Sequence, residues 1–184
     1  MESLVPEYAA TGTIRERTGA ALPGIVPSNT YLCEDGSYVA IAGNGDGIFK
    51  RLMNAIGRPD LAGDPELEHN DGRVRHTEML DGVIGDWAAQ NALQHVLDTL
   101  DAASVPCGRI YTAKDICEDA HYQAREMIQR FEMPDGASID LPGIVPKLSQ
   151  TPGRTRWLGP ELGAHTCEVL ESIGVTPEQY EKMK

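Results

Sequence analysis

The chain has 184 residues, 41% of them hydrophobic and 24% charged, with a formal net charge of −12 at pH 7. That length suits one domain, or one domain with a small extension, of ordinary globular composition. The acidic balance argues against a nucleic-acid binder, which needs a basic face against phosphates, and against an anionic membrane surface as partner.

No apolar run approaches the length of a membrane span, and no signal-peptide pattern precedes the first polar residues. The cysteines, Cys33, Cys107, Cys117 and Cys167, are scattered without a C-x-x-C pair or zinc spacing. They read as reduced thiols of a cytoplasmic protein. Many of the 19 glycines and 12 prolines fall before Asn29 and between Pro134 and Pro160. Both regions therefore read as extended segments that lie against something else.

In chain order, residues 1–27 read as the end of an amphipathic helix (Met1 to Ala10) and a polar linker rich in glycine and proline. Arg15 and Arg17 in the linker suit a carboxylate or phosphate, or a solvated charge pair. Residues 28–133 read as a small α+β domain. Thr30 to Cys33 and Tyr38 to Ala42 form a hairpin around Glu34-Asp35-Gly36, where Asp-Gly supplies the turn. Phe49, Leu52, Met53 and Ile56 mark one face of a helix that Gly57 and Pro59 end. Leu61 to Arg73 reads as a polar loop. Met79, Leu80, Val83, Ile84 and Trp87 give a helix from about Arg73 to Ala89. Asn91, with Gln94 three residues on, caps the next helix, whose stripe is Leu93, Val96, Leu97 and Leu100.

Val105 to Tyr111 is short and extended. Thr112 caps a helix with Asp115, and another short helix covers His121 to Glu126. Met127 to Glu132 and Ala137 to Leu141 form strands around a Pro134-Asp135-Gly136 turn. Residues 134–184 read as a C-terminal return segment, irregular from Leu141 to Pro160, ending in helices at Leu162 to Ile173 and from Thr176 onward, where Pro177 takes the first helical position. The fold class is α+β: a small mixed domain with β-hairpins and several helices, plus an extended C-terminal segment ending in helices.

One stretch organises the chain. Tyr38 to Ala42 is a buried strand that runs into Gly43-Asn44-Gly45-Asp46-Gly47, and this loop opens a helix. Glycine at every second position permits left-handed backbone and close approach of a ligand or another chain segment. Such a loop is either a flexible turn or an anion or carbonyl site at a helix N-terminus. It lacks the third glycine of a dinucleotide fingerprint and the lysine of a P-loop. The acidic Asp46 would repel a phosphate, so amides here suit a carbonyl or carboxylate. Elsewhere the residues name no nucleophile. His69, His76, His95, His121 and His165 are dispersed and form no metal motif. Cys107, between a proline and a glycine, has no adjacent base and reads as a packing residue.

Several segments together resemble a known family. Gly19 to Pro27 leads into Tyr31-Leu32-Cys33-Glu34-Asp35-Gly36-Ser37-Tyr38-Val39-Ala40-Ile41. After it come Gly43-Asn44 with Phe49, the helix ending Gly57-Arg58-Pro59-Asp60-Leu61, Val105 to Ile110, Ala124 to Met127, Pro146 to Gly153 and Leu162 to Thr166. In order and spacing these are similar to the C-terminal half of class III CoA-transferases, the CaiB/BaiF family, over essentially the whole chain. The resemblance implies a longer protein with a large Rossmann-like domain, a linker, this small domain and a returning C-terminal segment, two chains being interlocked.

It also implies transfer of CoA between an acyl-CoA and a carboxylic acid through an aspartyl-CoA thioester. The attacking aspartate belongs to the large domain, so no catalytic residue and no metal ligand is carried over here. Asp35 and Asp46 do not occupy its position. CoA enters as a thioester substrate, not a resident cofactor. The implied partners are the acyl-CoA, the acid, and a second copy or a large-domain chain. What carries over is a substrate loop, Gly43, Asn44, Gly45, Asp46 and Gly47, which closes over the thioester in some family members. This sequence lacks their run of consecutive glycines. A 2-methylacyl-CoA racemase would look similar over this stretch. A non-catalytic binding or assembly module descended from the small domain, and a generic soluble α+β domain of unrelated function, are the remaining alternatives. The Leu141 to Pro160 tail would lie along the large domain and expose apolar surface without it.

Overall fold

The computed structural model describes residues 3–133 and 135–183. Met1, and Pro134 of the expected second hairpin turn, lie outside them. The chain divides into two compact units, Met1–Thr112 and Ala113–Lys184, and its secondary structure is α+β, with helices around small antiparallel sheets.

The first unit opens with α1 (Leu4–Thr11), which buries no residue and ends at Gly12 in the left-handed region. Arg15 pairs with Glu7 of this helix. The sheet has the order β1 (Ser28–Leu32), β2 (Tyr38–Ala42), β3 (Cys107–Arg109), all antiparallel. Asp35 and Gly36 close the β1–β2 turn as expected: Gly36 has φ +78°, and Asp35 Oδ1 accepts the Ser37 amide at 3.0 Å. Strand β1 starts at Ser28, earlier than expected, because it pairs along the full length of β2, from Ser28 opposite Ala42 to Leu32 opposite Tyr38. The extended Cys107 to Arg109 segment is the third strand, paired on the free edge of β2.

The inward face of the sheet carries Tyr31, Val39 and Ile41. Against it pack Phe49, Leu52 and Met53 of α2 (Asp46–Ala55). Two further helices complete the core, α5 (Thr77–Ala89) through Leu80, Ile84 and Ala88, and α6 (Leu93–Ala102) through Leu93, Val96 and Leu100. Most of these side chains are almost completely removed from solvent. Burial of each large apolar side chain stabilises by about 1.5–3 kcal/mol, so this cluster dominates the unit's stability.

Three expectations are corrected here. Residues 61–73 are not a loop but a series of short turns: α3 (Pro59–Ala62), a 3₁₀ turn (Pro65–Leu67) and α4 (Asn70–Arg75). Proline at the first positions and Asp64, whose side chain accepts the Glu66 amide, start the 3₁₀ turn. Burial of Leu61 and Leu67 holds these turns, which are too short to show a period. The helix expected from Arg73 to Ala89 is broken at His76, which has φ −112° and ψ 23°. The cap expected from Asn91 is also different. Ala92 is the N-cap of α6, and Asn91 donates to the Trp87 carbonyl at the end of α5.

The second unit begins with α7 (Ala113–Glu118) and α8 (Ala120–Ala124). Asp119 caps α8, accepting the amides of His121 and Tyr122. A hairpin follows, β4 (Ile128–Glu132) and β5 (Ser138–Pro142), with Arg130 bidentate to Asp140 at 2.8 Å across the pair. Residues 143–160 are irregular. The last helices are α9 (Thr166–Ser172) and α10 (Pro177–Glu181), and Thr176 forms a reciprocal capping box with Gln179. None of these helices buries a residue. Val145, Leu148 and Trp157 of the irregular segment are exposed.

Candidate functional site: the glycine loop and its buried arginine

The loop Gly43–Gly47 leaves β2 and enters α2. Its entrance is pinned from the β1 side. The Gly43 amide donates to the Pro27 carbonyl at 3.0 Å, and Asn44 Nδ2 donates to Ser28 Oγ at 3.0 Å. Gly45 is the N-cap of α2, extended at φ −71°, ψ 140°, and no side chain caps the helix. The amides of Asp46, Gly47 and Ile48 are thus the first-turn donors that an α-helix leaves without an intrahelical acceptor. They and the helix dipole favour a carbonyl or carboxylate oxygen near this end.

The expected use of left-handed backbone is not found: among the glycines with positive φ, none lies in this loop. The glycines serve proximity instead. A Cβ on Gly43 would lie 2.5 Å from Leu52 Cδ2 and 3.1 Å from Pro27 Cγ. Gly43 therefore lets the strand end pack directly on the core. A Cβ on Gly47 would meet only Arg51 Nη1, at 3.7 Å.

The far side of the loop is held by Arg73, which is 0% exposed. Its Nη2 donates to the Asn44 carbonyl at 2.7 Å and to Asp46 Oδ1 at 2.8 Å. Its Nη1 donates to the carbonyls of Leu67 and Glu68, both at 3.0 Å, and its Nε to Val26 at 2.9 Å. A guanidinium has five N–H donors, and every one is used. The Phe49 ring lies 5.0 Å below the guanidinium carbon, within cation–π range. The other Asp46 oxygen meets His69 Nδ1 at 3.0 Å. These two partners, His69 first and then Arg73, hold the Asp46 carboxyl below the usual carboxylate range. The charge of Asp46 is thus shared with an arginine, which answers the concern that an acidic loop repels anions.

Sequence reasoning assembled the loop but missed Arg73, His69 and Ser28, which position it. The one available signal was inverted. Arg73 is buried while its apolar neighbour Val74 is exposed, and a charged residue beside a valine reads as the solvent side.

Ser28 also lines a shallow, open cavity of about 390 Å³ on the outer face of the sheet, with Thr30, Ala40, Ala42, Pro106 and Cys107. Burial, with a contribution from Asp101, pushes the Cys107 thiol up, which disfavours the thiolate needed of a nucleophile. Among the described residues no three His, Cys, Asp or Glu side chains gather as metal ligands, and no helix is long and apolar enough to cross a membrane.

Comparison with known proteins gives this geometry a context. The family described as "CoA-transferase family III" matches residues 1–166. The chain is 43% identical over 179 residues to a succinyl-CoA–D-citramalate CoA-transferase of Chloroflexus aurantiacus, covering 97% of this chain and 44% of that protein. It is 34% identical to the beta subunit of a succinyl-CoA–L-malate CoA-transferase of the same organism, covering 100% of this chain and 46% of that subunit. Among solved structures, a CaiB/BaiF family protein from Brucella suis superposes with a TM-score of 0.70 at 27% identity, over 93% of this chain and 44% of that one. The chain spans less than half the length of these curated relatives. Matched along nearly all of its length by sequence and by fold, the chain belongs to CoA-transferase family III, the CaiB/BaiF family.

Proposed function

We propose that this chain is the small-domain and C-terminal part of an acyl-CoA transferase that moves CoA from an acyl-CoA to a free carboxylic acid. The observation that carries the reading is the 43% identity, along 97% of this chain, to a CoA-transferase. The nucleophile is an aspartate outside residues 1–184, supplied by a large domain on the same polypeptide or on a partner chain. Attack of its carboxylate on the acyl-CoA carbonyl expels CoA thiolate and leaves a mixed anhydride. The thiolate attacks the aspartyl carbonyl, releasing the first acid and forming the aspartyl-CoA thioester. The second acid repeats the two steps in reverse, forms its own CoA ester and restores the aspartate.

In this reading CoA is substrate and no further cofactor takes part. The working protein is an interlocked homodimer or a complex with a large-domain chain, in the cytoplasm. The Gly43–Gly47 loop covers the thioester and offers the amides at the start of α2 to its oxygen. The donors named for the relatives suggest succinyl-CoA, and their acceptors suggest a short hydroxy dicarboxylic acid.

The test takes the protein as its source cells make it and incubates it with succinyl-CoA and D-citramalate or L-malate. CoA esters are followed by chromatography and mass spectrometry, with hydroxylamine added to trap the aspartyl thioester. A new CoA ester and an aspartyl hydroxamate are expected. Exchange of the α-proton of a 2-methylacyl-CoA without transfer would replace this reading with the racemase. Neither reaction, across a panel of acyl-CoA donors, would leave the binding or assembly module.

A further inference from the structure

We infer that Arg73 is a positioning residue of the glycine loop, and that its grip on Asn44 and Asp46 decides whether a thioester under the loop passes to a carboxylic acid or is lost to water. The inference rests on the proposed place of the loop over the thioester.

The three glycines at alternate positions give the loop little stiffness of its own, so what fixes it is external. On one side Pro27 and Ser28 hold Gly43 and Asn44. On the other side Arg73 Nη2 holds the Asn44 carbonyl and the Asp46 carboxylate together, and the exposed His69 meets the other carboxylate oxygen. The remaining donors of Arg73 are committed to Val26, Leu67 and Glu68. The arginine thereby ties the loop to the entry of β1 and to the 3₁₀ turn. It has no solvent-exposed surface, so it cannot itself bind a ligand and acts only through the loop. Asp46 is the point where the grip can be loosened without emptying the buried site, because the four carbonyl bonds of Arg73 remain when its carboxylate is removed.

The experiment uses the natural protein with Asp46→Ala, with Arg73→Lys, which keeps the charge but cannot reach all three segments, and with Lys50→Ala, on the same helix as Asp46, as a control that breaks the exposed pair with Glu68 at the end of the 3₁₀ turn. Two readouts are taken: amide hydrogen exchange over residues 43–49, and the ratio of hydrolysed to transferred acyl-CoA. Loss of a charged hydrogen bond predicts exchange faster by about tenfold or more in Asp46→Ala. The hydrolysed share is expected to rise severalfold, with KM for the acyl-CoA little changed, and neither readout should move in Lys50→Ala. Unchanged exchange in Asp46→Ala would overturn the grip itself, whatever the activity. Faster exchange with an unchanged partition would overturn its link to the thioester. If Arg73→Lys fails to fold, Asp46→Ala decides alone. A wild-type protein that transfers no CoA would sink the proposed function instead, and hydrogen exchange would still decide whether Arg73 positions the loop.

Discussion

The Asp35 carboxylate accepts the backbone N–H of Leu93 at 3.0 Å, 58 residues away, while its other oxygen closes the β1–β2 turn on the Ser37 amide at 3.0 Å. One side chain thus ends a hairpin and caps α6, whose own N-cap residue, Ala92, has no side chain to offer. The bonds from Ser37 and Leu93 lower the Asp35 carboxyl from its usual value against a smaller opposing effect of desolvation. A carboxyl whose folded value is depressed contributes stability above its unfolded value, near pH 4, and loses it as pH falls through the folded value. Asp35→Ala is therefore expected to lower the urea midpoint at pH 7. The gap to wild type should close below the ordinary carboxylate range. Chemical denaturation at pH 7 and at successively lower pH checks both parts, and a gap independent of pH would contradict the capping role.

The Tyr31 hydroxyl donates to Asp81 Oδ1 at 2.6 Å, and Asn29 Nδ2 donates to the other oxygen at 3.0 Å, so β1 is bonded to α5. Tyr31 is 5% exposed, and burial first, then the bond to Asp81, raises its hydroxyl far above the ordinary tyrosine value. Tyr31→Phe keeps the ring in the core and removes the donor, for an expected loss of about 1–2 kcal/mol in urea denaturation. A raised folded value also means stability that is complete below the unfolded value, about 10, and lost as pH rises past it. The wild-type protein should therefore unfold progressively in alkali, with less of that dependence in Tyr31→Phe.

Legibility in the sequence followed the range of the interaction. The hairpin at Asp35-Gly36, the apolar faces of α2 and α6, the Leu80 and Ile84 positions of α5, and the cap at Thr176 were readable, because each is set within a few residues; Met79, expected on the same face of α5, is exposed. The cap of α6 was not, because its acceptor, Asp35, comes from another element. The series of turns at 59–75 was not, because each turn is shorter than the period that marks a helix. The loop Gly43–Gly47 was legible as a glycine-rich strand-to-helix connection. Its anchoring was not, since a buried arginine is recognisable only once Val26, Leu67, Glu68, Asn44 and Asp46 surround it.

Gly72 shows the same limit in packing. A Cβ there would lie 1.7 Å from the Glu66 carbonyl oxygen, so α4 and the 3₁₀ turn touch backbone to backbone one position before Arg73. Backbone cannot move aside as a flexible side chain does. Gly72→Ala is expected to cost about 1–3 kcal/mol and to displace Arg73 from its carbonyls. Urea denaturation combined with hydrogen exchange at residues 43–49 would register both effects. A variant as stable as wild type would mean that the contact relaxes.

Gly43 and Gly47 separate what the loop does for the fold from what it does for a ligand. Alanine at position 43 would press on Leu52, a core side chain with no exposed surface, so Gly43→Ala should lower stability by about 1–3 kcal/mol. Position 47 is different. It lies in the first turn of α2, lacks a positive φ, and has room for a methyl group. Alanine restricts the unfolded chain and favours the helix, so Gly47→Ala should raise stability by about 0.4–1 kcal/mol. The same methyl stands beside the uncapped amides that the proposed function aims at the thioester. A gain in Tm together with a loss of CoA transfer is thus the signature of a loop that meets substrate. A gain in Tm with transfer unchanged or raised would mean that position 47 does not meet the substrate.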